Sequence, residues 1–330
     1  MNNKHSVLGI IWRGMAMGIA EIIPGVSGGT IAFITGIYER LLGAISGIGP
    51  KQFTAFKEEG VKGVWNSLDG NFILLLLLGM GIGIIAGTFG VSYFLENYPE
   101  PLWAFFFGLI IASVLYILGK VTNFHWKMVL LFTVGVIIAY VMTAMYPMNG
   151  SDNLLYLFMA GMIAICALIL PGVSGSFMLL ILGVYTVIIS TLKNFLSAPD
   201  MDGLLTISVF SLGCLFGLLT FSKVVSYFFK KYNNGTLSVL AGFMIGSIHK
   251  IWPWRNPVVL FDKESGANLD QVDLTKVGEM LHSDSYKVVM DSNVLPSEYF
   301  ADPKTGLVII AGLIGFFLVF ILSRIDQSKE

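Results

Sequence analysis

Two stretches of this sequence nearly repeat each other: residues 14–38 read GMAMGIAEIIPGVSGGTIAFITGIY, and residues 161–185 read GMIAICALILPGVSGSFMLLILGVY. Twelve of the 25 aligned positions are identical, and both stretches carry the pentapeptide PGVSG near their centre. Proline removes a backbone donor, and glycine allows left-handed or closely packed backbone. An apolar run interrupted by PGVSG is therefore predicted to form two helical arms around a break, once in each half of the chain.

The duplication continues beyond these hairpins. With a shift of 134 residues, the sequence VSYF at 91–94 recurs at 225–228, and the longer polar loop 47–71 of the first half explains the smaller shift. We predict an all-α polytopic membrane protein of two repeats, each a broken hairpin, re-entrant or fully spanning, followed by three transmembrane helices. The first repeat is 1–146, with its hairpin at 8–46 and spans at 72–95, 102–119 and 128–146; the second is 154–323, with its hairpin at 154–192 and spans at 204–229, 236–252 and 306–323.

The composition agrees with an integral membrane protein. Hydrophobic residues make up 55% of the chain and charged residues 12%, about half of the charged share typical of soluble domains. The net charge of −1 leaves no basic excess for phosphate backbones, so no nucleic acid partner is expected. Both cysteines lie within apolar runs, and two are too few for a disulfide framework or a metal site. No metal or other cofactor is predicted.

The charges of the connecting segments predict the orientation. Segments 120–127 and 223–235 carry lysines, whereas 96–101 and 147–153 carry acidic residues and no basic ones. Because cytoplasmic loops are enriched in Lys and Arg, both termini are predicted to be cytoplasmic and the polar insert 253–305 extracytoplasmic. Three spanning helices per repeat is an odd number, so the second repeat is predicted to have inverted topology.

Inverted repeats with helices interrupted at matching positions are typical of alternating-access transporters. Lipid cannot satisfy the backbone freed at a break, so the breaks must be buried or line a cavity. Free amides and hydroxyl groups at a helix start favour an anion, with phosphate the natural ligand. The predicted headgroup-binding residues are Gly25, Val26, Ser27, Gly28, Gly29, Thr30, Gly172, Val173, Ser174, Gly175 and Ser176. The alternative is that the breaks only kink the helices and that their glycines only pack them.

The ionisable residues of the hairpins all lie in the first one, where each is costly at membrane depth unless paired or functional. Arg13 and Glu39 lie at equal distances from the break, which predicts a structural ion pair between antiparallel arms. Arg40 is predicted to extend to the cytoplasmic surface. Glu21 has no basic residue within one helical turn and is a candidate proton carrier. The alternative for Glu21 is a carboxyl hydrogen-bonded to the freed backbone.

Other classes of function find less support in the sequence. A membrane phosphatase or glycosyltransferase would need His, Asp or Arg clusters at the membrane face. The four histidines lie in tails, short connections or the insert, without a His–carboxylate spacing that suggests a metal or covalent catalysis. We therefore predict that the protein is not an enzyme. An ion channel, a carrier for a small soluble anion and a membrane scaffold without transport remain alternatives.

The stretch from Arg13 through EIIPGVSGGT at 21–30 to GIYE at 36–39, together with PGVSG at 171–175, resembles the PopT-type polyprenyl-phosphate translocases of bacteria. The resemblance covers the membrane part and leaves the insert 253–305 outside it. It implies a multi-pass flippase of the bacterial cytoplasmic membrane that returns undecaprenyl phosphate, the lipid carrier of envelope synthesis, from the outer to the inner leaflet. The implied partners are this polyprenyl phosphate and membrane lipid.

Overall fold

A computed structural model describes residues 6–23, 26–145, 148, 150–262, 265, 268–269, 272, 274, 277–282 and 285–327. These residues are mainly helical, with one small sheet. The helices are α1 (Val7–Ile22), α2 (Gly28–Ile34), α3 (Tyr38–Ser46), α4 (Lys51–Ser67), α5 (Gly70–Asn97), α6 (Pro99–Gly119), α7 (Trp126–Ala144), α8 (Leu154–Ile169), α9 (Gly175–Ile181), α10 (Tyr185–Ser197), α11 (Met201–Lys231), α12 (Asn233–Ser247), α13 (Val277–His282) and α14 (Thr305–Gln327). Short 3-10 helices occupy Ile248–Ile251 and Pro296–Glu298, and the strands are β1 (Arg255–Asp262), β2 (Asn268–Leu269) and β3 (Tyr286–Asn293).

Five helices in the described part of the chain are long and apolar enough to cross a membrane: α5, α6, α7, α11 and α14. They confirm helices at five of the six predicted spans. The sixth, predicted at 236–252, is shorter than expected, because α12 has 15 residues and a 3-10 turn follows it. Pro253 explains the end of the 3-10 turn at Ile251, since the residue before a proline is disfavoured in helices, and Trp252 is extended with ψ 131°.

The segment 47–71, predicted as a loop, contains helix α4. Its lysines alternate with exposed apolar side chains, among them Phe53, Phe56 and Val61. A helix with apolar and basic residues on its surface is typical of segments that lie in the membrane interface. Gly60, with φ +62°, interrupts the helix near its middle. The prediction was wrong here because the mixed charges of the segment resemble those of a solvated loop.

In the first hairpin the chain doubles back at the break. Helix α1 leads into it, and α2 returns along α1. Arg13 Nε of α1 donates to the carbonyl of Thr35, just past the end of α2, at 3.0 Å. A Cβ on Gly28, at the start of α2, would lie 3.3 Å from the carbonyl of Met17. These contacts join early residues of one arm to late residues of the other, so the arms are antiparallel.

The second hairpin repeats this arrangement. A Cβ on Gly175 would lie 2.7 Å from the carbonyl of Ala164, and Tyr156 Oη donates to the carbonyl of Leu182 at 2.8 Å. Helices α9 and α10 meet at an angle of 106°. Gly183 lies between them with φ +68°, a conformation that glycine adopts without strain. Each break is therefore followed by a seven-residue helix packed against the longer arm.

The long helices pack in four pairs. Helix α1 packs along α5 and α8 along α11, within each predicted repeat, whereas α6 packs along α14 and α7 along α12, between the repeats. Glycines allow the backbones of these pairs to approach closely. A Cβ added to Gly79, Gly108, Gly213 or Gly242 would overlap a carbonyl oxygen of the partner helix. Small residues serve the same purpose in other membrane helix pairs.

The insert forms an antiparallel sheet with strand order β2-β1-β3 that is attached to the helix ends. Glu100, in the first turn of α6, is 4% exposed and accepts hydrogen bonds from Tyr299 Oη at 2.9 Å and Lys304 Nζ at 3.2 Å. The guanidinium of Arg255 in β1 lies over the ring of Trp103, 4.6 Å from its centroid. Side chains of the insert therefore contact the first turns of α6.

Candidate functional site

The two PGVSG breaks lie against each other. The Ser27 hydroxyl lies 3.4 Å from the carbonyl oxygens of both Leu168 and Leu170, which immediately precede the second break. In return, the amide of Gly172 donates to Thr30 Oγ1 at 3.0 Å. These partners are 141 to 143 residues apart in the chain. The breaks therefore form one contact region, which we call the junction.

Aromatic and glycine residues close the junction on the side of the first hairpin. Tyr38 Oη donates to the carbonyl of Ile169 at 3.0 Å, and its ring packs against Phe33 and Phe229 with centroids 5.2 and 5.7 Å away. A Cβ on Gly29 would lie 2.9 Å from the same Ile169 carbonyl. The junction is thus tightly packed, and a glycine is needed where α2 crosses the end of α8.

The second break also packs against α12. Gly172 has φ +85°, and a Cβ there would lie 2.7 Å from Met244 Cα and 3.1 Å from Ser247 Oγ. Both the backbone conformation and the lack of space require glycine at this position. Val173 beside it is buried. The corresponding residue of the first break, Gly25, lies outside the described residues.

The amides at the start of α2 are already partnered by the protein. Gly28 N donates to Glu21 Oε1 at 2.7 Å, and Gly29 N donates to Ser27 Oγ at 3.1 Å. Thr30 N donates to the Ser27 carbonyl at 2.9 Å. The alternative interpretation of Glu21, a carboxyl bonded to freed backbone, therefore describes its contact in this structure. An anion could reach Gly28 N only by displacing Glu21.

The second break has a different environment. Ser174 Oγ accepts from Phe177 N at 3.4 Å and lies 2.9 Å from Ser176 Oγ. The position equivalent to Glu21 is Leu168, and within the described part of the chain no carboxylate accepts from the amides that begin α9. Ser174 is buried, whereas Ser176 is exposed. The two breaks are therefore alike in sequence but differ in which polar groups occupy them.

Arg13 and Glu39, the ion pair predicted for the first hairpin, differ in their burial. Arg13 is buried, and besides its bond to Thr35 it donates from Nη1 to the Gly9 carbonyl at 2.9 Å. Glu39 is exposed. The Arg13–Glu39 ion pair stays a prediction.

Arg40 forms an ion pair that the sequence did not indicate. Its Nε and Nη2 donate to the two carboxylate oxygens of Asp69 at 2.6 and 3.0 Å, and its guanidinium lies over the Phe72 ring, 4.2 Å from the centroid. This bidentate geometry joins α3 to the start of α5. The partners are 29 residues apart across α4, and no spacing rule connects them.

The chemistry available at the junction is that of hydrogen-bond donors. Among the described residues, no group of three or more His, Cys, Asp or Glu side chains could hold a metal ion. Buried hydroxyl groups and backbone amides predominate, with one carboxylate, Glu21. Such a set can bind and release an anionic oxygen group, and donors of this kind favour phosphate and carboxylate ligands.

Comparison with known proteins gives a consistent result. The family described as VCA0040-like, undecaprenyl phosphate translocase-like, matches residues 17–269, which include both breaks. A polyprenyl-phosphate transporter of Vibrio cholerae is 41% identical over 243 residues, covering 74% of this chain and 77% of the relative. A polyprenyl-phosphate transporter of Staphylococcus aureus is 33% identical over 263 residues, covering 74% and 85%. No solved structure matches the chain. By the extent of the family match and by these identities, the chain belongs to the undecaprenyl phosphate translocase-like family, a family of transporters and not of enzymes.

Proposed function

We propose that this protein moves undecaprenyl phosphate, or a similar polyprenyl phosphate, from the outer to the inner leaflet of the bacterial cytoplasmic membrane. The family and the two named relatives support the substrate. The observation that carries the mechanism is the junction, where interrupted helices from both halves of the chain contact each other. Interrupted helices that meet in this way form the substrate sites of many secondary transporters.

We further propose that the two halves are inverted repeats that rock around the junction. The exchanged pairs α6–α14 and α7–α12 support this relation. So does a pair of equivalent contacts: positions 100 and 234 correspond under the 134-residue shift. The residue at each of these positions forms a hydrogen bond with the segment just before the third spanning helix of the other half, which is α14 for position 100 and α7 for position 234. Glu100 accepts from Lys304, and Asn234 accepts from the amide of Thr122 at 3.3 Å. With the lysine-rich segments 120–127 and 223–235 on the cytoplasmic side, both termini are cytoplasmic in this proposal.

In this mechanism the phosphate headgroup binds at the junction while the prenyl tail stays in the bilayer. The proposed ligands are the amides and hydroxyl groups around Ser27 and Ser174. Helices α2 and α9 have only seven residues each, so individual donors matter more than a long helix dipole. Because Glu21 occupies Gly28 N in this structure, the headgroup would first engage the second break, where Ser176 is exposed.

Moving the headgroup inward opposes the membrane potential. A phosphate monoester carries about −1.5 to −2 charges, and each charge costs ~2.3 kcal/mol per 100 mV, so the transfer costs ~3–5 kcal/mol at 100 mV. A proton carried by Glu21 would offset part of this cost. A protonated carboxyl is a weaker acceptor than a carboxylate, so protonation would also free Gly28 N for the phosphate.

Reconstitution with labelled polyprenyl phosphate tests this proposal. We expect wild-type vesicles to transport the lipid at a rate that depends on pH. Glu21→Gln keeps an acceptor for Gly28 N but cannot exchange a proton, so it should retain headgroup binding and lose the pH dependence. Glu58→Gln, an exposed carboxylate on α4, is the matched control and should keep that dependence.

Three outcomes would contradict parts of the proposal. Unchanged pH dependence in Glu21→Gln would reject the proton carrier. Uptake of inorganic phosphate without lipid transport would favour a small-anion carrier. In cells that lack the protein, undecaprenyl phosphate should accumulate on the outer surface. No change there, with no transport in vesicles, would favour a scaffold.

A further inference from the structure

An open groove of about 920 Å³ lies between α7, α11 and α12. Its volume falls within the roughly 300–1,000 Å³ typical of ligand sites. The lining follows α11 from Lys231 to Phe221, ten residues or ~15 Å of helix. That length is about half of the ~30 Å hydrocarbon core of a bilayer. The groove therefore has the length needed to run from one membrane surface to the middle of the membrane.

The inner end of the groove reaches the junction. Leu170 lines it, and the carbonyl of Leu170 lies 3.4 Å from the Ser27 hydroxyl. Phe243 also lines it, next to Met244, the residue that Gly172 packs against. One end of the groove therefore lies beside the junction.

The end of the groove that is farther from the junction is polar and positively charged. Lys127, in the first turn of α7, and Lys231, the last residue of α11, both line it and are exposed. Lys231 Nζ donates to the Tyr227 hydroxyl at 2.9 Å. None of the described residues that line the groove is acidic. Two cations without an acidic neighbour in the lining, at the end of an apolar channel, match a ligand with an anionic head and an apolar tail.

We propose that this groove, called the α11 groove below, binds the polyprenyl phosphate in the cytoplasmic leaflet. The phosphate would lie between Lys127 and Lys231, and the first isoprene units along Phe228, Val224 and Phe221. A phosphate monoester carries up to two negative charges, which match the two lysines, whereas the phosphodiester of phosphatidylglycerol carries one. The α11 groove therefore fits the monoester better. This inference rests on the proposed function and on the predicted cytoplasmic position of 120–127 and 223–235.

A binding measurement tests the charged end. The probe is farnesyl phosphate, added to the full chain in nanodiscs of neutral phospholipid. The double variant Lys127→Gln/Lys231→Gln should bind it about tenfold more weakly or worse, because two charge-assisted contacts are lost. The control Lys223→Gln/Lys230→Gln removes the same charge from α11 outside the groove and should stay within twofold. Equal binding by the two double variants would overturn the inference.

Two further probes sharpen this measurement. Farnesol has the apolar tail without the phosphate, and inorganic phosphate has the charge without the tail. Both should bind more weakly than farnesyl phosphate. If phosphatidylglycerol competes as well as farnesyl phosphate, the site is a general anionic-lipid site and the inference is wrong.

A steric variant tests the apolar part. Val224→Trp should fill the groove and slow transport of the labelled lipid, whereas Leu215→Trp, on an exposed face of the same helix outside the groove, should not. If Val224→Trp transports the lipid at the wild-type rate and Lys127→Gln/Lys231→Gln binds farnesyl phosphate as tightly as the wild type, the α11 groove is rejected as a binding site. The proposed function would still stand. Absent transport in wild-type vesicles would instead reject the proposed function, and binding of farnesyl phosphate would then decide on the groove alone.

Discussion

Gly28 and Gly175 occupy the same position of the repeated pentapeptide but have different neighbours. A Cβ on Gly175 would lie 2.7 Å from a backbone carbonyl of α8, whereas the closest atom to a Cβ on Gly28 is the end of the Glu21 side chain, at 2.6 Å. Backbone cannot move aside as a side chain can. Gly175→Ala should therefore separate α9 from α8, lower the free energy of unfolding by about 1–3 kcal/mol and slow transport. Gly28→Ala should have the smaller effect on stability.

The measurement is thermal unfolding in one detergent, combined with transport in vesicles. Gly43→Ala is the control, because nothing lies within 4 Å of its Cβ position, and alanine favours the helix over glycine by roughly 1 kcal/mol. It should unfold at the same temperature as the wild type or higher. Bulkier side chains at Gly28 or Gly175 should block transport in protein that remains folded. Equal stability of the two alanine variants would show that the Ala164 carbonyl does not restrict position 175.

At the scale of single residues, the PGVSG pattern accounts for local contacts and not for distant ones. The break and the capping hydroxyls of Ser27 and Ser174 follow from PGVSG itself, because a cap and its amide are two or three residues apart. The bond from Gly172 to Thr30 spans 142 residues and depends on how the hairpins pack. No pattern in a single sequence encodes that distance.

Helix pairing depends on glycines that lie against carbonyl groups of another helix. A Cβ added to Gly242 of α12 would lie 3.0 Å from Gly135 Cα of α7 and would overlap the carbonyl oxygen of Phe132. Gly242→Ala should push the two helices apart and lower stability by about 1–3 kcal/mol. Gly81→Ala on α5 has nothing within 4 Å and should be neutral or stabilising. Apparent melting temperatures in detergent compare the two, and a Gly242→Ala variant as stable as the wild type would show that this close approach is not needed.

At the scale of elements, apolar length predicted the helices well and their ends less well. Five spans agree because about 20 apolar residues leave few alternatives to a membrane helix. Helix α4 was missed because its charged residues give it neither the uniform apolar character nor the length of a span. Helix α12 ends at Ser247 and is followed by a 3-10 turn to Ile251, so the helical run stops one residue before the predicted end at 252, and hydropathy did not predict the change of helix type.

The insert is attached to the membrane part by a buried carboxylate. Tyr299 and Lys304 both donate to Glu100, and burial, reinforced by the Glu100 charge, raises the pKa of the Tyr299 phenol, which keeps it protonated as a donor. Glu100→Gln retains an acceptor for Tyr299 but leaves Lys304 without its charge partner. Loss of a buried pair costs about 3–5 kcal/mol. We expect roughly 1–2 kcal/mol here, because the Lys304 side chain is 28% exposed and water screens it.

Hydrogen exchange of the β1 and β3 amides measures this effect. Glu100→Gln should raise their exchange rates, while Glu298→Gln, an exposed carboxylate of the same insert, should not. Equal protection in both variants would show that the sheet is held by its other contacts, such as Arg255 over Trp103.

The arrangement of the whole molecule rests on the proposed inversion of the two halves, and one pair of positions tests it directly. Glu96 and Lys230 correspond under the 134-residue shift, and both are exposed near the ends of α5 and α11. If the repeats are inverted, equivalent positions lie on opposite faces of the membrane, and their opposite charges agree with the positive-inside rule. In a background of Cys166→Ala/Cys214→Ala, a membrane-impermeant maleimide should label Glu96→Cys in intact cells. It should label Lys230→Cys only after permeabilisation. Labelling of both positions from the same side would mean that the halves are parallel, and a mechanism that rocks two inverted halves around the junction would then be wrong.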